Sequence, residues 1–388
     1  MVSERELGRD GLRLQATAFV TTFDRFAMPP LLVAIARDLG VPLAAVAAAA
    51  GAYFLAYGLM QPLWGLASER IGIARAIRWA VLGGAVATFA SALVTDVTTL
   101  TLARIAAGLC FSAAFPSTLI YVGETVPGVR RHREVSRLMT GVALGTALAT
   151  VTAGLLAETA SWRWVFAVSG LLAALTGWFV WSLADVPRRP DPRPPWVSVT
   201  RVARNPTAMT LLALVAVEGA GLFGAFTFVP AAVESAGWGP AAAAAPAALF
   251  GVAVLAASAV VGSLSSRVAA SRFIAVGAGF GIAGSALIAW SQSPGVAAAT
   301  SVLLGLCWAA MHSSLQTWAT QVAPEERATV VSFFAGSLFA GTAVMAAVGG
   351  PLADDGRFGL LFAGCAVLTG LVGLVGAITR GRWEREKG

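Results

Sequence analysis

Five ionisable side chains stand inside long apolar stretches of this 388-residue sequence. They are Asp24, Arg25, Arg104, Glu218 and His312. A charged group is costly in such surroundings, and those that proteins keep there usually face a cavity or a partner and serve an ion or substrate pathway. Asp24 and Glu218 are candidate proton carriers, because a carboxyl group in a medium of low dielectric gains or loses a proton when its charged neighbours change. The predicted chemistry is proton transfer beside a cavity that binds a solute.

Helical spacing limits how the first three of these groups are arranged. Arg104 and Gly108 lie one turn apart and share a helix face. Asp24 and Arg25 are neighbours in the chain and cannot face the same way on a helix. We therefore expect one of the two to pair with another helix inside the bundle, and the spacing leaves open which one.

Aromatic residues accompany the histidine. His312 lies one turn from Trp308 and one turn from Gln316, which predicts a polar and aromatic stripe on one helix face. Substrate contact and a packing role are equally compatible with His312. We also place Phe115 in the substrate pathway, although most aromatic side chains in such segments face lipid or the core.

The elements that must hold these groups are membrane-spanning helices. Hydrophobic residues make up 57% of the chain and charged residues 12%, which is more apolar surface than a soluble core of this length can bury. A helix needs roughly 20 mostly apolar residues to cross a bilayer, and runs of that length without alternation indicate helices. The sequence predicts twelve spans, at residues 12–37, 43–64, 77–95, 97–123, 138–158, 162–184, 207–233, 241–262, 273–290, 295–322, 328–350 and 358–380.

A polar, proline-rich segment divides these spans into two sets. We predict an N-terminal six-helix bundle at 1–184, a cytoplasmic linker at 185–206 and a C-terminal six-helix bundle at 207–388. Most of the 27 basic residues fall in alternate loops and at the two ends, a distribution typical of cytoplasmic segments. Both termini are therefore predicted to be cytoplasmic in an inner-membrane protein. The net charge of +7 then belongs to its cytoplasmic side and does not indicate a nucleic-acid surface.

A short polar stretch between the second and third spans has a second copy in the chain. GLASERIGIAR begins at Gly65, and GSLSSRVAASR begins 197 positions later. Three residues of the first copy match three of the second at that spacing: Gly65, Arg70 and Arg75 match Gly262, Arg267 and Arg272. Two parallel repeats are typical of transporters in which the substrate site lies between the halves, near the middle of the membrane.

This arrangement resembles the major facilitator superfamily over nearly the whole chain. In that family the loop between helices 2 and 3 carries glycine, acid, base, glycine and further bases, and the matching positions here are Gly65, Glu69, Arg70, Gly72 and Arg75. The second copy keeps Arg267 and Arg272 but has Ser266 and Ala269 in place of the acid and the second glycine. The resemblance implies that both stretches form a cytoplasmic gate. A solvated basic loop is the alternative, which does not explain the glycines and the acid.

The resemblance also implies that helices 1, 4, 7 and 10 line a central cavity, and all five deep ionisable groups fall on these helices. The Arg104 and Gly108 spacing resembles a helix 4 signature that is linked to proton coupling in the family. Helix 5 keeps Gly145 and Gly154 of a signature found in exporters, but Ala149 and Thr150 stand where that signature has a Gly-Pro pair, which weakens the exporter interpretation.

We therefore predict an all-α membrane protein with twelve transmembrane helices in two six-helix repeats. Its predicted function is proton-coupled secondary transport of a small organic solute by alternating access, with efflux of lipophilic compounds favoured. The alternatives are proton symport of an organic anion bound by Arg25 or Arg104, and a sensor of the same fold that does not transport.

The expected partners are a small-molecule substrate, protons and the lipid bilayer, with no nucleic acid, and a monomer is sufficient to form the pathway. We predict no enzyme activity, cofactor or metal site. The only lysine is Lys387, so the chain lacks the lysine of a phosphate-binding loop. The chain has only two histidines, which does not indicate a metallohydrolase. It also lacks the nucleophile elbow of a serine hydrolase.

Overall fold

The computed structural model describes residues 4–185 and 195–387. Within these ranges twelve helices are long and apolar enough to cross a membrane, which confirms the predicted number. We label them in chain order: α1 Gly8–Leu39, α2 Leu43–Ser68, α3 Ile73–Leu93, α4 Val97–Thr125, α5 Arg133–Thr159, α6 Trp162–Ser182, α7 Pro206–Ser235, α8 Pro240–Leu264, α9 Ala270–Trp290, α10 Pro294–Ala319, α11 Pro324–Asp354 and α12 Phe358–Glu386. The described residues contain no β-strand.

Several helices continue beyond the apolar residues that predicted them. The helix of α2 runs on to Ile71, and the helix of α5 already begins at Gly128. Arginine, glutamate and alanine favour helix, so the polar ends stay helical outside the hydrocarbon layer. The first of these extensions ends at Gly72, where φ is +96°, a left-handed conformation that suits glycine.

Side-chain caps mark where other spans begin. Asp96 accepts hydrogen bonds from the backbone N–H groups of Thr98 and Thr99, directly before α4. The bonds from Thr99 hold the pKa of the Asp96 carboxyl below its ordinary value. Asn205 caps α7 in the same way, through the N–H of Ala208, and Pro206 follows at the first helical position, where its missing N–H is not needed.

The predicted linker at 185–206 is described only in part, because residues 186–194 lie outside the described ranges. A short helix, Pro195–Ala203, follows them and leads into α7. Arg201 of this helix donates to Glu326 at the start of α11 at 3.0 Å, and Val202 is buried. The second part of the linker is therefore packed against the last six spans rather than extended in solvent.

The four spans predicted to line the cavity are each interrupted. In α1 a 3₁₀ turn occupies Pro29–Leu31, and in α4 the helix breaks at residues 112–113. Both α7 and α10 contain a π-helical turn, at Gly219–Phe223 and Trp308–His312. Of the other eight spans, α8 contains a 3₁₀ turn in its interior, at Ala245–Ala247, whereas α6 ends with one and α11 begins with one. Single π-helical turns inside α-helices are frequent at functional sites.

The helices form two halves, α1–α6 and α7–α12, which touch mainly through α2 with α11 and α5 with α8. Because successive spans alternate in direction, the loops at Gly72 and Arg267 lie at one face, together with the chain ends; we call it the terminal face. The opposite, distal face carries Glu158 and Asp354. Small residues let helices approach closely, and a Cβ on Gly58 would lie 3.0 Å from the carbonyl oxygen of Gly336.

The halves meet at the distal face and separate towards the terminal face. Ala44, Gly51, Gly58 and Gly65 recur every seven residues and share one side of α2. The first three contact α11, but a Cβ on Gly65 would meet no atom of the described neighbouring residues within 4 Å. Gly251 of α8 contacts α5. Gly262 lies on the same side of α8, three turns further on, and a Cβ there would meet no described atom within 4 Å. The space between the halves is therefore open at the terminal face.

Two hydrogen bonds close the distal face, and they are related by the internal repeat. The N–H of Ala44, at the start of α2, donates to Asp354 at 3.1 Å. The N–H of Ala241, at the start of α8 and 197 positions later, donates to Glu158 at 2.9 Å. Each bond places a carboxylate at the positive N-terminal end of a helix of the other half, an attractive arrangement.

Candidate functional site

The deep charges of the first half form one buried ion pair. Arg104 donates to both carboxylate oxygens of Asp24, at 3.1 Å and 2.8 Å, and neither side chain is exposed. The hydroxyls of Thr88 and Ser169 donate to Asp24 as well, at 2.9 Å and 3.3 Å. These partners come from α3, α4 and α6, so Asp24 lies inside the first half and not in the space between the halves.

Aromatic packing explains the spacing of Arg104 and Gly108. The guanidinium of Arg104 lies 4.5 Å from the ring centre of Tyr53 and 5.0 Å from that of Phe166. A Cβ on Gly108 would lie 2.5 Å from the carbonyl oxygen of Tyr53. The glycine therefore lets the backbone of α2 come close to α4, and this approach places the tyrosine ring over the arginine.

Arg25 faces the other way, towards the second half. Its guanidinium lies 4.9 Å from the ring centre of Tyr57, 5.8 Å from that of Phe26 and 5.5 Å from that of Phe339 on α11. Among the described residues, its buried Nε atom has no hydrogen-bond partner. Among the side chains that the structure describes, no carboxylate forms an ion pair with Arg25. The structure thus brings Asp24 to Arg104 and leaves Arg25 between the halves.

The second half contains a buried carboxylate and histidine. Oε2 of Glu218 and Nδ1 of His312 lie 3.2 Å apart, and the two side chains are 0% and 6% exposed. Oε1 of Glu218 is buried and finds no hydrogen-bond partner in the part of the chain that the structure describes. One π-helical turn begins directly after Glu218, and the other ends at His312.

A row of aromatic rings connects Arg25 with His312 across the two halves. Phe339 lies 6.4 Å from Phe223, Phe223 lies 4.9 Å from Trp308, and Trp308 stacks on His312 at 3.5 Å, all between ring centres. We call Phe339, Phe223, Trp308 and His312 the aromatic row. Phe26 joins it from α1, at 6.0 Å from Phe223.

Two of the predicted pathway residues stay apart from this row. Phe115 is partly buried against an apolar cluster that belongs mainly to the first half and also includes Phe339, but among the described residues its ring forms no aromatic pair with the row. Gln316 is exposed, and within the described chain its side chain forms no hydrogen bond with His312. The predicted stripe on α10 is therefore formed by Trp308 and His312 alone.

The predicted gate loop between α2 and α3 is held by Asp185, at the end of α6. Asp185 accepts a hydrogen bond from the N–H of Ala74 at 3.1 Å and binds Arg75 at 2.9 Å. The backbone at Gly72 runs so close that a Cβ there would collide with the Asp185 carboxylate. These contacts all lie within the first half, so in this conformation they brace the loop against α6.

The other gate residues lie at the terminal face without forming a closed gate. Arg70, Arg267 and Arg272 are exposed, and Gly65 faces open space. The backbone of Glu69 is helical, but its side chain lies outside the described part of the structure. The gate role of this set stays a prediction.

Sequence reasoning missed several members of the site. Thr88 and Ser169 carry no charge and resemble ordinary small polar residues of membrane helices. Tyr53 and Tyr57 did leave a signal, since they are two of only three tyrosines in the chain and lie one turn apart. Phe339 could not be singled out among 20 phenylalanines.

Twelve spans in two halves, with paired charges inside them and an aromatic row between them, define a multi-pass membrane transport protein. The sequence profile described as Major Facilitator Superfamily matches residues 16–339 and 248–387. The chain belongs to this superfamily, whose members are transporters and not enzymes.

Individual relatives match parts of the chain. "Probable transport protein HsrA" of Haemophilus influenzae is 27% identical over 157 residues, which are 40% of this chain and 34% of the relative. "Probable transporter SCO4007" of Streptomyces coelicolor is 30% identical over 243 residues, 59% of this chain and 55% of the relative. The chain thus spans less than two thirds of the length of these relatives.

The fold is shared with solved transporters along nearly the whole chain. The crystal structure of the nucleoside transporter NupG (D323A mutant) superposes with a TM-score of 0.80, covering 94% of this chain and 99% of that chain. The sequence identity is 16%, so this likeness concerns the fold alone.

Proposed function

We propose that the protein is a proton-coupled secondary transporter that carries a small lipophilic organic solute between its two halves by alternating access. The observation that carries this proposal is the contact between Glu218 and His312. It joins a buried carboxylate that has one unused oxygen to a histidine that belongs to the aromatic row. A proton site and a solute site that share a residue provide a direct physical basis for coupling.

Glu218 is better suited to carry the proton than Asp24. Both oxygens of Asp24 bind Arg104, and two hydroxyl groups add further hydrogen bonds. A proton on Asp24 would displace part of this network. Oε1 of Glu218 has no hydrogen-bond partner within residues 4–185 and 195–387, so a proton can bind there without breaking a described hydrogen bond. In this proposal Asp24 and Arg104 stabilise the first half.

The aromatic row is the proposed solute site. Its rings come from α7, α10 and α11, and Phe26 adds a ring from α1. Binding sites for small organic molecules are mostly apolar and contain a few polar groups that set orientation. Here the polar groups are Arg25 at one end of the row and His312 at the other.

The opening between the halves supports alternating access and export. The halves touch at the distal face and are separate at the level of Gly65. If the terminal face is cytoplasmic, as the basic residues predict, the space between the halves opens to the cytoplasm, where an exporter takes up its substrate. Closing the terminal face and breaking the distal contacts would then release the solute on the other side.

Proteoliposomes test the coupling. The probes are 2-naphthoate, 2-naphthamide and tetraphenylphosphonium, which share a lipophilic body and differ in charge. The wild type should move at least one probe faster when a pH gradient is imposed. Glu218→Gln should lose this acceleration but still exchange labelled for unlabelled probe, because the solute site is intact. Glu124→Gln, at an exposed position of α4, is the matched control.

Equal acceleration by the pH gradient in the wild type and Glu218→Gln would contradict the coupling, and a wild type that moves none of the probes would contradict transport of lipophilic solutes. Inside-out membrane vesicles test the direction, because an exporter accumulates its substrate in them.

A further inference from the structure

The charges inside the spans do not balance at the space between the halves. Asp24 neutralises Arg104 in a buried pair. Glu218 and His312 share a hydrogen bond. Arg25 is the remaining deep group of the five, and no described carboxylate forms an ion pair with it. A positive charge without a counter-charge is costly at this depth, so a ligand that brings a negative charge would lower the free energy of the protein.

The surroundings of Arg25 also indicate the chemical group that such a ligand would present. Three rings, of Tyr57, Phe26 and Phe339, lie near the guanidinium. Aromatic faces attract a cation, but they do not replace a carboxylate as acceptor for its N–H groups, and Nε is buried with no acceptor from the described residues. A carboxylate can accept two parallel hydrogen bonds from the edge of a guanidinium.

We infer that the solute binds as an organic monoanion, with its carboxylate on Arg25 and its apolar body along the aromatic row. This inference rests on the proposed solute site between the halves. Arg25 is within reach of a ligand because it is partly exposed, whereas Asp24 and Arg104 are fully buried. Phe339 belongs to the second half, so an anion on Arg25 contacts both halves.

Equilibrium binding to the purified protein in lipid nanodiscs tests this inference. The probes are 2-naphthoate, 2-naphthamide and 2-naphthylmethylammonium, which present the same ring system with an anionic, neutral or cationic head. The wild type should bind the carboxylate most tightly, roughly ten- to a hundredfold above the amide, as expected for charge-assisted hydrogen bonds. Arg25→Gln should lose this preference and keep its affinity for the amide.

Two further variants separate charge from folding. Arg25→Lys keeps the charge but not the planar fork, and it should retain part of the preference. Arg357→Gln, at an exposed position between α11 and α12, should bind like the wild type. If Arg25→Gln does not fold, an Arg25→Lys protein that keeps the full preference for the carboxylate overturns the inference, because the paired hydrogen bonds of the guanidinium are then not used.

A wild type that does not prefer the carboxylate over its amide overturns the inference directly, as does an Arg25→Gln protein that keeps the preference. Because the assay contains no pH gradient, its outcome is distinct from that of the coupling test. Carboxylate binding that requires Arg25, combined with pH-driven transport that survives Glu218→Gln, would refute the proposed proton site and leave the anion site intact.

Discussion

Replacement of Asp24 by asparagine should strongly destabilise the first half. Arg104 would stay buried with its charge uncompensated, and removing one member of a buried pair costs about 3–5 kcal/mol. The local geometry supports this magnitude. Both Nη atoms of Arg104 now donate to Asp24, at 3.1 Å and 2.8 Å. Asparagine keeps one acceptor oxygen but directs an NH₂ group at the other donor.

A double variant isolates the charge. Asp24→Leu combined with Arg104→Met removes both charges at similar volume, a change that is often close to neutral for buried pairs. We therefore expect the double variant to be more stable than Asp24→Asn by about 2 kcal/mol or more. Thr88→Val removes only one of the hydroxyls that bind Asp24 and should cost about 1 kcal/mol.

The free energy of unfolding in mixed detergent micelles, followed by tryptophan fluorescence, is the quantity to measure. An Asp24→Asn protein within about 1 kcal/mol of the wild type would refute the argument that the pair is essential to the first half. A double variant no more stable than Asp24→Asn would show that the loss comes from packing. Loss of transport in Asp24→Asn would then reflect stability and would not identify a proton carrier.

Two further predictions concern the distal face. Glu158→Gln combined with Asp354→Asn weakens two contacts between a carboxylate and a helix N-terminus, and each contact contributes about 0.3–1 kcal/mol. The population with an open distal face should therefore rise roughly 3- to 30-fold. An unchanged distance distribution between spin labels on α2 and α11 would contradict this prediction. Gly154→Val should prevent full closure of the distal face and slow transport, because a Cβ there would lie 2.5 Å from the Cβ of Ala244 on α8. Gly364→Val is the control, since a Cβ at Gly364 would meet no described atom within 4 Å. Equal transport rates in the two variants would refute the prediction.

The amino-acid sequence was sufficient to predict the twelve spans and the helices that carry the deep charges. Hydrophobicity and the cost of a buried charge are properties of each residue and its near neighbours, so they can be read along the chain. The number of spans is confirmed. The sequence also indicated that Asp24 and Arg25 point in different directions, because adjacent residues on a helix must do so.

Only the tertiary structure decided which of Asp24 and Arg25 forms an ion pair. Asp24 meets Thr88 and Ser169, which are 64 and 145 positions away in the chain. Such contacts depend on the depth and rotation of whole helices, which the pattern within one helix does not contain. The same applies to Asp185, which holds the loop that begins at Gly72, and to Phe339, which meets Arg25 from the other half. Helices and their charges are thus local properties of this sequence, whereas the paired and unpaired state of each charge follows from how the helices pack.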